Sequence, residues 1–261
     1  LIIIEWIKLG VWIEGLDQDA TLRLRRQIRN LEDAIVEANV TLNLFEQAAQ
    51  SHQLAEQTGD KFEVRREISR EVEEELFPEG IMPTGMTGGN FREEYDKRSA
   101  LLDTNVRHKM WERGFLPQSL LIMPSFIFAK AFIHALDLFD KFLGDIANDP
   151  SAPQKIQAIH GKFCDRFPDL RGVRNSIQHS EDRSKGEHRG KKIDLKEIDQ
   201  SKISIVGTGL VSPSLNGNRF GTTMADGHYG SIDVSVESIH VLRSSLLDVY
   251  SAFAWKGGER A

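Results

Sequence analysis

Phe126-Ile127-Phe128-Ala129-Lys130-Ala131-Phe132-Ile133-His134-Ala135-Leu136-Asp137-Leu138-Phe139-Asp140-Lys141-Phe142-Leu143 is the stretch on which the fold turns. Its apolar residues cover almost every side of a helical wheel, as they do in a helix surrounded by other helices. Lys130, His134 and Asp137 argue against a membrane span. The pattern predicts a core helix over Ser119 to Ala147, with Pro124 in its first turn, where a missing N–H costs nothing.

Upstream, Leu24, Ile28, Leu31, Ile35, Ala38, Leu42, Phe45 and Ala49 alternate three and four residues apart, which specifies a long amphipathic helix. Such a stripe serves as a coiled-coil seam between two copies or as the core face of an intramolecular bundle, and within one chain the second is commoner. Gly59-Asp60 separates it from a highly charged helix reaching Phe77. Pro78 to Asn90, with two prolines and four glycines, is a connector. Residues 1–77 therefore read as a helical extension, 78–90 as a linker and 91–261 as the main domain. Phe91 to Arg113 begins that domain as another helix.

Downstream, Ile156, Ile159, Phe163 and Phe167 give a short helix one apolar face that ends at Pro168, and Asp169 is placed to N-cap the next. After Lys192 the pattern changes to β-branched runs at Ile203 to Val211, Phe220 to Met224 and Tyr229 to Val236. Asn216-Gly217 and Asp226-Gly227 punctuate them, which predicts a small antiparallel meander over 203–236. A last helix carries Ile239, Leu242, Leu246, Val249 and Phe253. The fold class is mainly α, a helical bundle with a meander inserted before its last helix.

Charge and cysteine content narrow the function. A net charge of -6 gives no whole-molecule attraction to polyanions, so any nucleic-acid contact needs a local basic patch. Cys164 is the only cysteine, which excludes an intramolecular disulfide and a thiolate cluster and suits a reducing cytoplasm. The apolar opening, Leu1 to Ile13, carries Glu5 and Lys8, is shorter than the ~20 residues of a spanning helix, and lacks the basic flank of a signal peptide. It is read as a packing or interface helix, or as the edge of a fragment, with no membrane partner.

Dinucleotide and P-loop glycine patterns are absent, and no helix carries two histidines at zinc-binding spacing, so neither a cofactor nor a metal is expected. The segment from His160 to Lys192 stands out because its basic residues outnumber its acidic ones in an acidic chain. On a helix starting after Asp169, Leu170, Val173 and Ile177 form the apolar face, while Arg171, Asn175, His179 and Arg183 recur every four residues on the other. Arg174 borders the apolar face, about 140° around from His179 at ~100° per residue. Arg174 in that position also suits a structural role, packing its stem and pairing with a carboxylate.

Arg174-Asn175-Ser176-Ile177-Gln178-His179 resembles the motif of HEPN domains, an Arg, a polar residue and then a His after a short gap. The helical block before it resembles a HEPN bundle. The resemblance covers roughly Phe91 to Ser184 and the last helix, and the meander looks like an insertion relative to that family. It implies a homodimer that brings two motifs together and, in many members, metal-independent RNA cleavage in toxin–antitoxin or antiviral defence systems, with an antitoxin or other protein partner. Other members are non-catalytic interaction or scaffold proteins.

The chemistry of the residues fits cleavage. RNA supplies its own nucleophile, the 2′-OH, so the protein needs a proton-transfer group and a cation for the charge developing on phosphate. His179 suits the first role, since its ordinary pKa lies near ~6.5. Arg174 suits the second with a permanently charged fork of donors, and Asn175 would fix the imidazole or contact the backbone. Arg171, Arg183, Lys185, Arg189, Lys191 and Lys192 would supply phosphate contacts.

Overall fold

The computed structural model describes residues 1–57, 61–85, 88–198 and 207–258. Its helices are α1 (Gln18–Gln57), α2 (Lys61–Leu76), α3 (Gly89–Glu112), α4 (Gln118–Ala147), α5 (Lys155–Arg166), α6 (Leu170–Gln178), α7 (Ser180–Ser184) and α8 (Val236–Tyr250). The strands are short: β1 (Trp12–Ile13), β2 (Glu187–His188), β3 (Lys191–Lys192), β4 (Ser214–Asn216), β5 (Arg219–Thr223), β6 (Tyr229–Asp233) and β7 (Trp255–Lys256). The mainly helical bundle expected from the sequence is what forms.

Contacts divide the chain into two compact units, Leu1–Glu46 with Ser125–Ala261, and Gln47–Pro124. This differs from the expected division, in which 1–77 stood apart from 91–261. The cause is where the α1 stripe is buried. Leu24, Ile28, Leu31, Ile35, Ala38, Leu42 and Phe45 share one core with Phe132, Ile133, Leu136 and Phe139 of α4 and with Ile239, Leu242, Leu246 and Val249 of α8. The stripe is thus an intramolecular core face and is not available as a seam between copies.

By length and composition α4 could cross a membrane, but in this fold its apolar face, including Phe132, Ile133, Leu136, Phe139, Leu143 and Ile146, is buried in that core, while His134, Lys141 and Asp145 are exposed. Pro124 lies inside α4 beyond its first turn, so the amide it lacks removes a ladder bond there.

The opening segment is extended and not helical. Exposure alternates from Leu1 to Gly10 with a period of two, as the β-branched run Ile2-Ile3-Ile4 favours. Ile2, Ile4 and Trp6 pack against the core. Asn43 Oδ1 accepts from Ile2 N at 2.6 Å, and the Asn39 and Asn43 amides donate to Ile2 O. Two asparagines on α1 thereby do for this segment what a neighbouring strand would do. Beyond it, β1 pairs antiparallel with β7.

The meander is the antiparallel sheet β4-β5-β6, with Phe220 opposite Ile232. Of the first expected strand, 203–206 lies outside the described residues. Within 207–211, Thr208 makes an isolated bridge to Glu197, and the third strand is β4. The expected break at Gly59-Asp60 also lies outside the described residues. In the second unit, α2 and α3 pack through Ile68, Val72, Val106 and Met110.

Candidate functional site

The motif helix α6 is held from two sides. Leu170 and Val173 are buried in the main core, and β5 and β6 pack against the helix. Gly172 makes that approach possible, since a Cβ there would lie 2.2 Å from Met224 Sδ. Asp169 occupies the N-cap position but makes no side-chain cap bond. Its carboxylate accepts from Ser231 N of β6 at 3.1 Å. The meander, which looked like an insertion, therefore positions the motif.

Arg174 is fixed from several directions. Its Nε lies 2.9 Å from Asp137 Oδ2 on α4, and Nη1 donates to Asn175 Oδ1 at 3.0 Å and to Gln178 Oε1 at 2.7 Å. Neither Arg174 Nε nor Asp137 Oδ2 makes an aligned hydrogen bond, so their contact is one of charges. Lys141 Nζ reaches the same carboxylate oxygen at 2.6 Å. Burial works to raise the Asp137 carboxyl, but the two cations outweigh it and hold it below the usual carboxylate range. A group that must stay ionised at 1% exposure depends on such partners. Among the described residues no hydrogen bond is made by Nη2 of Arg174.

His179 is exposed, and its Nδ1 lies 3.8 Å from Glu181 Oε1. No hydrogen bond or ion pair joins it to Arg174 among the described residues. Asn175 Oδ1 accepts from the Arg174 guanidinium, and no hydrogen bond joins its side chain to the His179 imidazole among the described residues.

The polar stripe is also shorter than expected. Helix α6 stops at Gln178, and His179, at φ -113 and ψ 43, turns the chain before α7 begins. Arg183 leaves the solvent face and is 4% exposed. Its guanidinium donates to Ser176 Oγ and to the Glu187 carbonyl and meets His188 Nδ1 at 3.2 Å. Buried and bonded within the protein through all three of its nitrogens, it closes the α7–β2 joint instead of offering a phosphate contact. Arg171, Lys185, Arg189, Lys191 and Lys192 are all exposed. The last three lie on the β2–β3 hairpin, whose turn places Arg189 at φ 52 and Gly190 at φ 75.

One group of side chains escaped the sequence reading. Asp140 on α4 and His160 and Cys164 on α5 converge, with His160 Nε2 2.9 Å from Asp140 Oδ1. Cys164 Sγ lies 3.5 Å from that nitrogen and 3.6 Å from that oxygen. The signal in the sequence is His160 and Cys164 at i and i+4, one helical turn apart, a spacing that pairs of histidines alone do not reveal. No family model, curated protein or solved structure matches this chain.

Proposed function

We propose that this chain is a metal-independent endoribonuclease of the HEPN kind that acts as a homodimer. The observation carrying this reading is the Arg174 guanidinium, clamped by Asp137, Asn175 and Gln178, five residues before an exposed His179. A charge held rigid before substrate arrives needs little reorganisation to stabilise a phosphorane-like transition state. His179 assists deprotonation of the 2′-OH, which attacks the adjacent phosphorus and displaces the 5′-oxygen. The products are a 2′,3′-cyclic phosphate and a 5′-hydroxyl. Arg171, Lys185, Arg189, Lys191 and Lys192 hold the RNA backbone.

Because no hydrogen bond or ion pair joins His179 to Arg174 among the described residues, the composite site takes His179 from one copy and Arg174 from the other across a two-fold axis. Val36, Val40 and Leu44, at 51%, 53% and 37% exposure on the outer side of α1, offer an apolar surface for that pairing. A cytoplasmic toxin or defence role, with an antitoxin-like protein partner, follows from the same reading.

The test is cleavage of RNA by purified protein in the presence of chelator. His179→Ala and Arg174→Ala should each abolish it while circular dichroism stays unchanged, and a 2′-deoxy nucleotide at the scissile position should block it. A requirement for magnesium, or a 5′-phosphate product, overturns the mechanism. The exposed Val36, Val40 and Leu44 on the outer side of α1 also favour a second reading, a non-catalytic interaction protein. Under that reading His179→Ala changes nothing, whereas Val40→Asp abolishes association.

A further inference from the structure

The geometry points to a site for a zinc-like divalent cation formed by Asp140, His160 and Cys164, independent of the Arg174–His179 motif. Zinc binds thiolate sulfur at about 2.3 Å and imidazole nitrogen or carboxylate oxygen at about 2.0–2.1 Å, so a tetrahedral centre places its sulfur about 3.5 Å from each lighter ligand atom and those two about 3.3 Å apart. Here the sulfur edges are 3.5 and 3.6 Å and the nitrogen–oxygen edge is 2.9 Å. The two sulfur edges match a zinc tetrahedron as they stand, and the nitrogen–oxygen edge has to open by about 0.4 Å to complete three corners.

The donor set suits a borderline metal. One thiolate, one imidazole and one carboxylate match the N, S and O ligands that zinc accepts, whereas calcium and magnesium prefer oxygen alone. Three protein ligands also leave the fourth position open to water. His160 and Cys164 are locked one turn apart on α5, and Asp140 comes from α4, so the ion ties two helices together.

A second feature of α4 makes room for the site. Gly144 lies one turn after Asp140, and a Cβ there would come within 3.1 Å of His160 Cε1. Glycine inside a helix costs about 1 kcal/mol relative to alanine, and at this position it leaves the space the imidazole occupies.

The experiment is competition for zinc between the purified full chain and a chromophoric indicator, together with cobalt substitution read by its thiolate-to-metal charge-transfer band. One ion should bind per chain. Cys164 is exposed, so Cys164→Ser should keep the fold by circular dichroism while removing the cobalt band. It should weaken zinc binding beyond the about 10–100-fold typical of losing an outer-shell partner. Gly144→Ala, which only displaces His160, should weaken it by about tenfold. Failure of the folded wild type to bind one equivalent at micromolar zinc, or equal binding by Cys164→Ser, overturns the site. RNA cleavage that survives chelation would leave this result standing on its own.

Discussion

The two compact units are built on opposite terms. The larger one closes a continuous apolar core in which Phe132, Phe139, Leu31, Leu42 and Leu246 are fully buried. In the smaller, α2 and α3 bury Ile68, Val72, Val106 and Met110, and ion pairs such as Lys109–Glu75 at 2.7 Å and Arg113–Glu71 at 2.8 Å span them. Burial of apolar area is insensitive to salt, whereas exposed ion pairs contribute about 0–1 kcal/mol each and are screened. The second unit should open first, and its stability should fall with ionic strength.

The strongest way to test that contrast is to damage each core. Phe132→Ala removes a fully buried ring from the large unit and should cost about 3–5 kcal/mol in denaturant unfolding followed by circular dichroism. Ile68→Ala should cost about 2–5 kcal/mol. Because its cluster is small, hydrogen exchange should speed up across α2 and α3 while the amides of α4 and α8 keep their protection.

A smaller effect comes from Asp137. Its carboxyl is depressed in the folded state by Arg174 and Lys141. Its contribution is therefore fully present above the ordinary carboxylate range and is lost as pH falls through the depressed folded value. Asp137→Asn should cost about 1–3 kcal/mol at neutral pH and flatten the acid limb of a melting-temperature profile. An unchanged acid limb would show that the carboxylate is not ionised in the fold. Smallest of all, Arg113→Ala should cost less than about 1 kcal/mol at low salt and nothing measurable in high salt.

The sequence by itself determined the helices, because their periodic apolar positions report local geometry. The face Ile239, Leu242, Leu246 and Val249 and the α1 stripe from Leu24 to Phe45 are buried as the spacing required, while Ala49, at its end, is exposed. It also determined the chemical inventory near the motif, including the option that Arg174 pairs with a carboxylate. Only the tertiary structure decided which carboxylate. Asp137 lies 37 positions earlier in the chain, and no local pattern couples it to Arg174. The same holds for Arg183, whose turn inward depends on the break at His179 and on the Glu187 carbonyl, and for Asp140, which reaches His160 and Cys164 only because α5 packs near α4. The opening segment is extended where its apolar content suggests a helix, for a related reason. Apolar content is shared by helices and strands, and the acceptors that fixed it as extended, Asn39 and Asn43, belong to another element. Periodicity encodes which face of an element is buried, while partners distant in sequence are chosen by packing, and a functional site is made of such partners.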